Sequence, residues 1–165
     1  MQTATVPTPV GPFTVVVEDG VVHASGWTDD PQALVALIAP ALRPATCAPV
    51  ADLGAVTDAV AAYTDGDLSA IDGIAVRQQS GPFLMEVWDV LRTVPAGAPV
   101  TYAELAAKAG RPEAVRAAAS ACARNAVALF VPCHRVVRTG GALGGFAWGL
   151  PVKQALLDRE AALTR

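Results

Sequence analysis

A histidine follows a cysteine directly in Val131-Pro132-Cys133-His134-Arg135-Val136-Val137. This pair restricts what the chain can do locally more than any other stretch. On a regular strand, neighbouring side chains point to opposite faces. The thiol and the imidazole can therefore share one site only if Pro132 bends the chain. If they do, the imidazole can take the thiol proton and hold the resulting anion, and it is the thiolate that attacks. The same dipeptide also suits a buried, unreactive cysteine beside a polar edge, since free cysteine is among the most buried residue types.

The rest of the sequence narrows the setting. The chain has 165 residues, 53% of them hydrophobic, enough for one ordinary domain or two small ones with a real core. No apolar run reaches the roughly 18 residues of a membrane span, so no membrane partner is expected. Met1-Gln2-Thr3-Ala4-Thr5-Val6-Pro7 lacks the basic start and apolar core of a signal peptide, which points to the cytoplasm. Cys47, Cys122 and Cys133 form an odd set without a CxxC pair, against a disulfide framework and against a structural zinc site. The net charge of −3 conceals an asymmetry. Residues 1–79 hold two basic and nine acidic residues, net −7, whereas residues 80–165 hold ten basic and six acidic, net +4. A polyanion should meet the second half.

Patterning supplies the elements. Phe13-Thr14-Val15-Val16-Val17, the turn Glu18-Asp19-Gly20 and the return through Trp27 predict a hairpin over 10–27. His23 lies in its second strand with no second ligand near it, and reads as structural. Asp30 and Pro31 open a helix expected over 31–42, as N-cap and first helical residue. Residues 43–51 read as loop, and a second helix is expected over 53–63. A short strand at 74–76 and a domain junction near Pro82 follow, dividing a structural lobe (1–79) from a second lobe (80–165). Phe83, Val87 and Leu91 mark a helix over 83–92. Thr101 and Glu104 form a capping box for a helix over 102–109, Gly110 stops it, and Pro112 leads into a helix from Glu113 to Arg124. This helix-turn-helix shape is common and weak evidence alone. The second helix is clothed in small residues, among them Ala117 and Ser120. Such a helix can enter a minor groove only about 6 Å wide, or pack closely on a neighbour. A last helix is expected over 151–162.

Pro132-Cys133-His134-Arg135-Val136 resembles the active-site signature of the O6-alkylguanine-DNA alkyltransferases. The resemblance runs over about residues 80–162, through Tyr102, Arg116, Asn125, Gly144, Phe146, Lys153 and Glu160. It implies an α+β fold with a ribonuclease-H-like N-terminal lobe and a mainly helical C-terminal lobe, the latter carrying the helix-turn-helix and a short strand with Cys133. It implies single-turnover transfer of an alkyl group from O6 of guanine in double-stranded DNA to Cys133. His134 would take the thiol proton through a water, with Glu160 orienting the imidazole. Tyr102 would supply the proton or hydrogen bond that the departing guanine needs. The target base must leave the stack, and Arg116 would fill the vacancy, with Ala117, Ser120 and Tyr102 at the DNA. Asn125 would tether the recognition helix to the reactive segment. Val136, Phe146, Ala147, Trp148 and Ala128 would form the base pocket, backbone groups doing much of the recognition. Phe146 stands where tyrosine is usual, and Trp148 should hinder bulky adducts.

The damaged DNA is itself the alkyl donor, so no cofactor is expected. Members that bind zinc do so in the N-terminal lobe, where this chain offers only His23 and Cys47, so no metal is expected either. A monomer is expected. Two other readings compete: a noncatalytic alkyltransferase-like lesion-binding protein, which would typically lack the cysteine, and a turnover Cys-His hydrolase, which has no use for Arg116.

Overall fold

The computed structural model describes all 165 residues. They cluster as two compact units, one of Met1–Gln79 with Ala126–Phe130, the other of Ser80–Asn125 with Val131–Arg165. Residues 126–130, which the sequence-based boundary leaves in the second lobe, thus belong to the first unit. No helix is long and apolar enough to cross a membrane.

The first unit is built on a four-stranded sheet. Strands β1 (Gln2–Thr8), β2 (Gly11–Glu18) and β3 (Val21–Gly26) form an antiparallel meander. The two-residue strand β4 (Ala48–Pro49) adds parallel to β1, giving the order β3-β2-β1-β4. The hairpin turns at Asp19 and Gly20, both with positive φ, as a two-residue turn requires. Phe13 to Val17 are all buried, so β2 is covered on both faces and reads as a continuous apolar run. Strand β1 is not announced by the sequence. Its side chains are short, only Thr3 and Ala4 are buried, and no hydrophobic alternation results.

The helix expected over 31–42 is corrected. Helix α1 spans only Pro31–Val35, capped by Asp30, whose Oδ1 accepts from the Gln32 N–H at 3.0 Å. Pro40 explains the early end: it has no N–H, and its ring would strike the Ala36 carbonyl of a continued helix. Residues Pro40–Leu42 instead form a 3-10 turn. Helix α2 runs Ala55–Asp65 and closes on Gly66 in the left-handed region, as a C-cap should. The strand expected at 74–76 reduces to one bridge, Val76 to Val22. Residues 126–130 are buried against Ser25, which donates from N to Ala126 O at 2.9 Å and from Oγ to Ala128 O at 2.7 Å. His23 is buried in β3 and burial lowers its imidazole pKa, in keeping with a structural residue.

The second unit holds α3 (Pro82–Leu91), β5 (Val100–Thr101), α4 (Tyr102–Lys108), α5 (Val115–Ala123), β6 (Val136–Val137) and α6 (Leu150–Leu163). The capping box is present in full: Thr101 Oγ1 accepts from the Glu104 N–H at 3.1 Å, and Glu104 Oε2 accepts from the Thr101 N–H at 2.7 Å. Ala118 and Ala121 are fully buried on α5, and Trp88 of α3 donates its indole N–H to Ala121 O at 2.9 Å. Part of the small-residue pattern therefore serves close helix packing.

Cys133 does not lie on a strand as expected. Residues Cys133–Arg135 form a 3-10 turn, and β6 begins only at Val136. Pro132 cannot donate to a ladder, and its carbonyl accepts from the Arg135 N–H at 3.0 Å to close the turn. β6 then pairs in parallel with β5, Val100 with Val136 and Thr101 with Val137. Because α4 starts at the next residue, this two-strand clip sets Tyr102 beside the cysteine turn.

Thr101→Ala removes one half of the box and should cost about 1 kcal/mol, as side-chain N-caps generally do. Urea denaturation of the variant against the parent checks this.

Candidate active site

Cys133 is 8% exposed and lies against a cavity of about 400 Å³ within the second unit. Helix α5 contributes Val115, Arg116, Ala119, Cys122 and Ala123 to its lining. The loop before α6 contributes Gly144 to Trp148, and Tyr102, Asn125 and Arg138 complete it with the cysteine. No group of three or more His, Cys, Asp or Glu side chains converges in a way that could hold a metal.

The thiol is held by Asn125, whose Nδ2 donates to Cys133 Sγ at 3.2 Å and to Val131 O at 2.8 Å. The amide thus bonds both the segment before the cysteine and the thiol itself. Burial pushes the Cys133 pKa up, while the Asn125 hydrogen bond and the Lys153 charge pull it down. Burial has the larger effect, so the resting side chain is a neutral thiol.

His134 and Glu160 are both fully buried, with Nε2 and Oε1 2.8 Å apart. Arg135, also buried, donates from Nε to Glu160 Oε2 at 3.0 Å and from Nη2 to Oε1 at 2.9 Å, and from Nη1 to Val94 O at 2.8 Å. Burial alone would raise the Glu160 carboxyl, but the hydrogen bonds from His134 and Arg135 and the guanidinium charge hold it at about 2. Burial lowers the His134 pKa despite its carboxylate partner. The pair is therefore a neutral imidazole on an ionised carboxylate. A carboxylate only accepts, so Nε2 carries the proton and Nδ1 keeps a lone pair. Nδ1 is buried without a hydrogen-bond partner. A neutral base is thus aimed away from its orienting acid, next in sequence to a neutral thiol.

Lys153 enters the sequence reading only through the resemblance. It is fully buried, and its Nζ donates to three carbonyls: Val136 at 2.6 Å, Leu143 at 2.5 Å and Gly145 at 3.2 Å. The cation staples the cavity loop to β6. Burial lowers its pKa, partly offset by Cys133. The signal was available, because the buried face of α6 is Lys153, Leu156 and Glu160 at helical spacing. Two charges on an apolar face need buried partners. Gly144 is required where it stands: φ is +74°, and a Cβ there would lie 2.7 Å from the Tyr102 hydroxyl. Burial raises the Tyr102 pKa, so its hydroxyl keeps its proton.

Of the residues singled out from the sequence, Cys133, Tyr102, Asn125, Arg116, Phe146, Ala147 and Trp148 all line the cavity. His134 and Glu160 lie beneath it as a buried pair. Ala117 and Ser120 are half-buried on α5 and outside the lining. Val136 is fully buried, its carbonyl already accepting from Lys153. Ala128 is a correction: it is buried in the first unit with its carbonyl bound by Ser25, and it walls no part of the cavity. Cys122 and Arg138, which line the cavity, were not singled out.

A two-unit α+β protein with a buried cysteine facing a cavity lined by helix α5 and a glycine-rich loop is a recognisable class. The family model for the 6-O-methylguanine DNA methyltransferase DNA binding domain matches residues 82–162. The methylated-DNA–protein-cysteine methyltransferase of Shigella flexneri is 34% identical over 159 residues, covering 94% of this chain and 93% of that protein. The bifunctional transcriptional activator/DNA repair enzyme Ada of Escherichia coli is 54% identical over 79 residues, 48% of this chain, and this chain spans only 22% of its length. The crystal structure of Mycobacterium tuberculosis OGT in complex with DNA superposes with a TM-score of 0.82 at 27% identity, covering 99% of this chain and 94% of that one. The chain belongs to the methylated-DNA–protein-cysteine methyltransferase family.

Two outcomes follow from the buried charges. His134 and Glu160 bind fewer protons folded than unfolded, since both folded pKa values are depressed. Stability should be full above pH 6.5. It should fall as pH drops, first as unfolded histidine protonates below 6.5, then as the carboxyl titrates between 4.5 and about 2. Urea midpoints measured across this range check it, and Glu160→Gln should flatten the lower part. Lys153→Met strands three carbonyls and should cost on the order of 3 kcal/mol, measured in the same way.

Proposed function

We propose that the protein repairs DNA by moving an alkyl group, methyl above all, from O6 of guanine to its own Cys133, once per molecule. The observation that carries this is a buried thiol, hydrogen-bonded by Asn125, at a cavity of about 400 Å³ that also holds Tyr102 and a glycine-rich loop. His134 Nδ1, with Nε2 fixed on Glu160, takes the Cys133 proton through a water. The thiolate attacks the alkyl carbon, a C–S bond forms and the C–O6 bond breaks. Tyr102 hands its proton to a ring nitrogen of the departing guanine, so the base leaves neutral, and the proton taken up by His134 returns to the tyrosinate through water. The thioether is stable to water, which ends the reaction at one turnover. Asn125 and Lys153 stabilise the thiolate as it forms.

The partner is double-stranded DNA, engaged through the minor groove by α4 and α5 as a helix-turn-helix. The alkylated base rotates into the cavity, and Arg116, exposed on α5 at its edge, occupies the gap left behind. The 80–165 lobe does this work, and the 1–79 lobe is structural. Its sheet order, three antiparallel strands with β4 parallel at the edge, supports a ribonuclease-H-like arrangement. The protein acts as a cytoplasmic monomer and uses neither metal nor cofactor. The retained cysteine speaks against the noncatalytic lesion-binding alternative.

Incubation with a duplex carrying one O6-methylguanine, followed by intact and peptide mass spectrometry, tests the reading. One methyl on the Cys133 peptide, stopping at one per protein and absent from Cys133→Ala, is the expected result. Tight binding without transfer would favour the lesion-binding alternative instead. Trp148 at the cavity mouth should make benzyl transfer slower than methyl transfer, and Trp148→Gly should narrow the difference. Equal rates for both groups in the parent protein would defeat that role for the ring.

A further inference from the structure

We infer that Arg138 is a positioning residue that grips a backbone phosphate beside the extruded nucleotide, a role distinct from that of Arg116; the inference rests on the DNA alkyl-transfer reading above. The lining of the cavity contains two guanidinium groups, Arg116 and Arg138, and no carboxylate. Arg138 is exposed and makes no side-chain hydrogen bond or ion pair within the protein. Its backbone, in contrast, is firmly placed. The Arg138 N–H donates to Ala142 O at 2.8 Å, and Arg138 O accepts from the Gly141 N–H at 2.9 Å. The intervening turn runs through Gly140 and Gly141, both at positive φ. It follows β6 directly, so the residue is anchored to the strand that leaves the Cys133 turn.

A fixed backbone with a free cation in the lining of the cavity suits an anion delivered from outside. A nucleotide that enters base-first keeps its two flanking phosphates at the rim, because both join it to the strand that remains outside. Arg116 is engaged in the vacated stack, which leaves Arg138 as the remaining positive group of the lining. A guanidinium is suited to phosphate through its paired donors. The Arg138 charge already reaches the interior, since it draws the Tyr102 pKa down against the larger raising effect of burial. A phosphate on Arg138 would offset that influence and leave Tyr102 with its proton while the base is bound.

The test measures single-turnover methyl transfer to Cys133 for the parent protein, Arg138→Ala and Arg138→Lys. Each is given a duplex with one O6-methylguanine, either with ordinary phosphates or with neutral methylphosphonates flanking the lesion. Loss of one charge-assisted phosphate contact should slow Arg138→Ala about tenfold on the ordinary duplex. The methylphosphonate duplex should slow the parent protein by a similar factor, and the two changes together should add little, as coupled partners do. Arg138→Lys should recover part of the rate through its charge. Parent-like rates for Arg138→Ala, or slowing by the same factor on both duplexes, would overturn the inference. A thermal melt of each variant separates either result from misfolding. A parent protein that takes no methyl from either duplex would instead sink the reading on which the inference rests.

Discussion

The buried carboxylate of Glu160 is the interaction on which the rest of the site depends. It accepts from His134 and from Arg135 while having no exposure to solvent. An ion in such a place would be prohibitively costly without the guanidinium beside it, and removing one member of a buried pair typically costs about 3–5 kcal/mol. Three sequence-distant elements are joined by it: α6 brings the acid, the 3-10 turn brings histidine and arginine, and Val94 after α3 takes the remaining arginine donor. The chemical consequence is a fixed tautomer. His134 and Arg135 together keep the carboxylate ionised, while burial keeps the imidazole from becoming a cation.

The neighbouring thiol is also set by opposing effects, of which burial is the larger. Burial disfavours the thiolate, whereas an amide donor and a lysine charge favour it. A thiol that is protonated at rest but flanked by groups that stabilise its anion is protected from adventitious chemistry, because reactivity follows thiolate character. Lys153 ties this balance to shape. The cation that acts on Cys133 also holds Leu143 and Gly145, and thereby the loop that closes the cavity. Electrostatics and pocket geometry are then not independent, and a change at Lys153 disturbs both.

How much of this could be read from sequence follows from how local each signal is. In the second unit α4 was legible from its capping box, Thr101 with Glu104, and α3 and α6 from the proline that opens each. Cys133 was singled out with its histidine neighbour, and Asn125, Tyr102, Arg116 and the 146–148 loop through the family resemblance; all reach one cavity. What was missed is non-local or depends on geometry. β1 is held by pairing with β2 and has no apolar alternation of its own. α1 fails at Pro40, a stop that the apolar periodicity of the following residues conceals. The resemblance put Cys133 on a short strand, whereas the chain after Pro132 forms a 3-10 turn there. Ala128 sits five residues before Cys133, yet it belongs to the first unit, and the chain re-enters the second only at Val131. The buried partners of Arg135 and Lys153 are backbone carbonyls and one distant acid, which no residue pattern displays.

The central claim is that Glu160 fixes His134 as a neutral imidazole with its lone pair on Nδ1. Nitrogen-15 NMR of the histidine side chains in the folded, DNA-free protein at neutral pH measures this directly. The expected result is a neutral His134 ring, protonated at Nε2 and bare at Nδ1, with the assignment confirmed by loss of the signal in His134→Ala. A doubly protonated imidazolium, or a neutral ring carrying its proton on Nδ1, would contradict it.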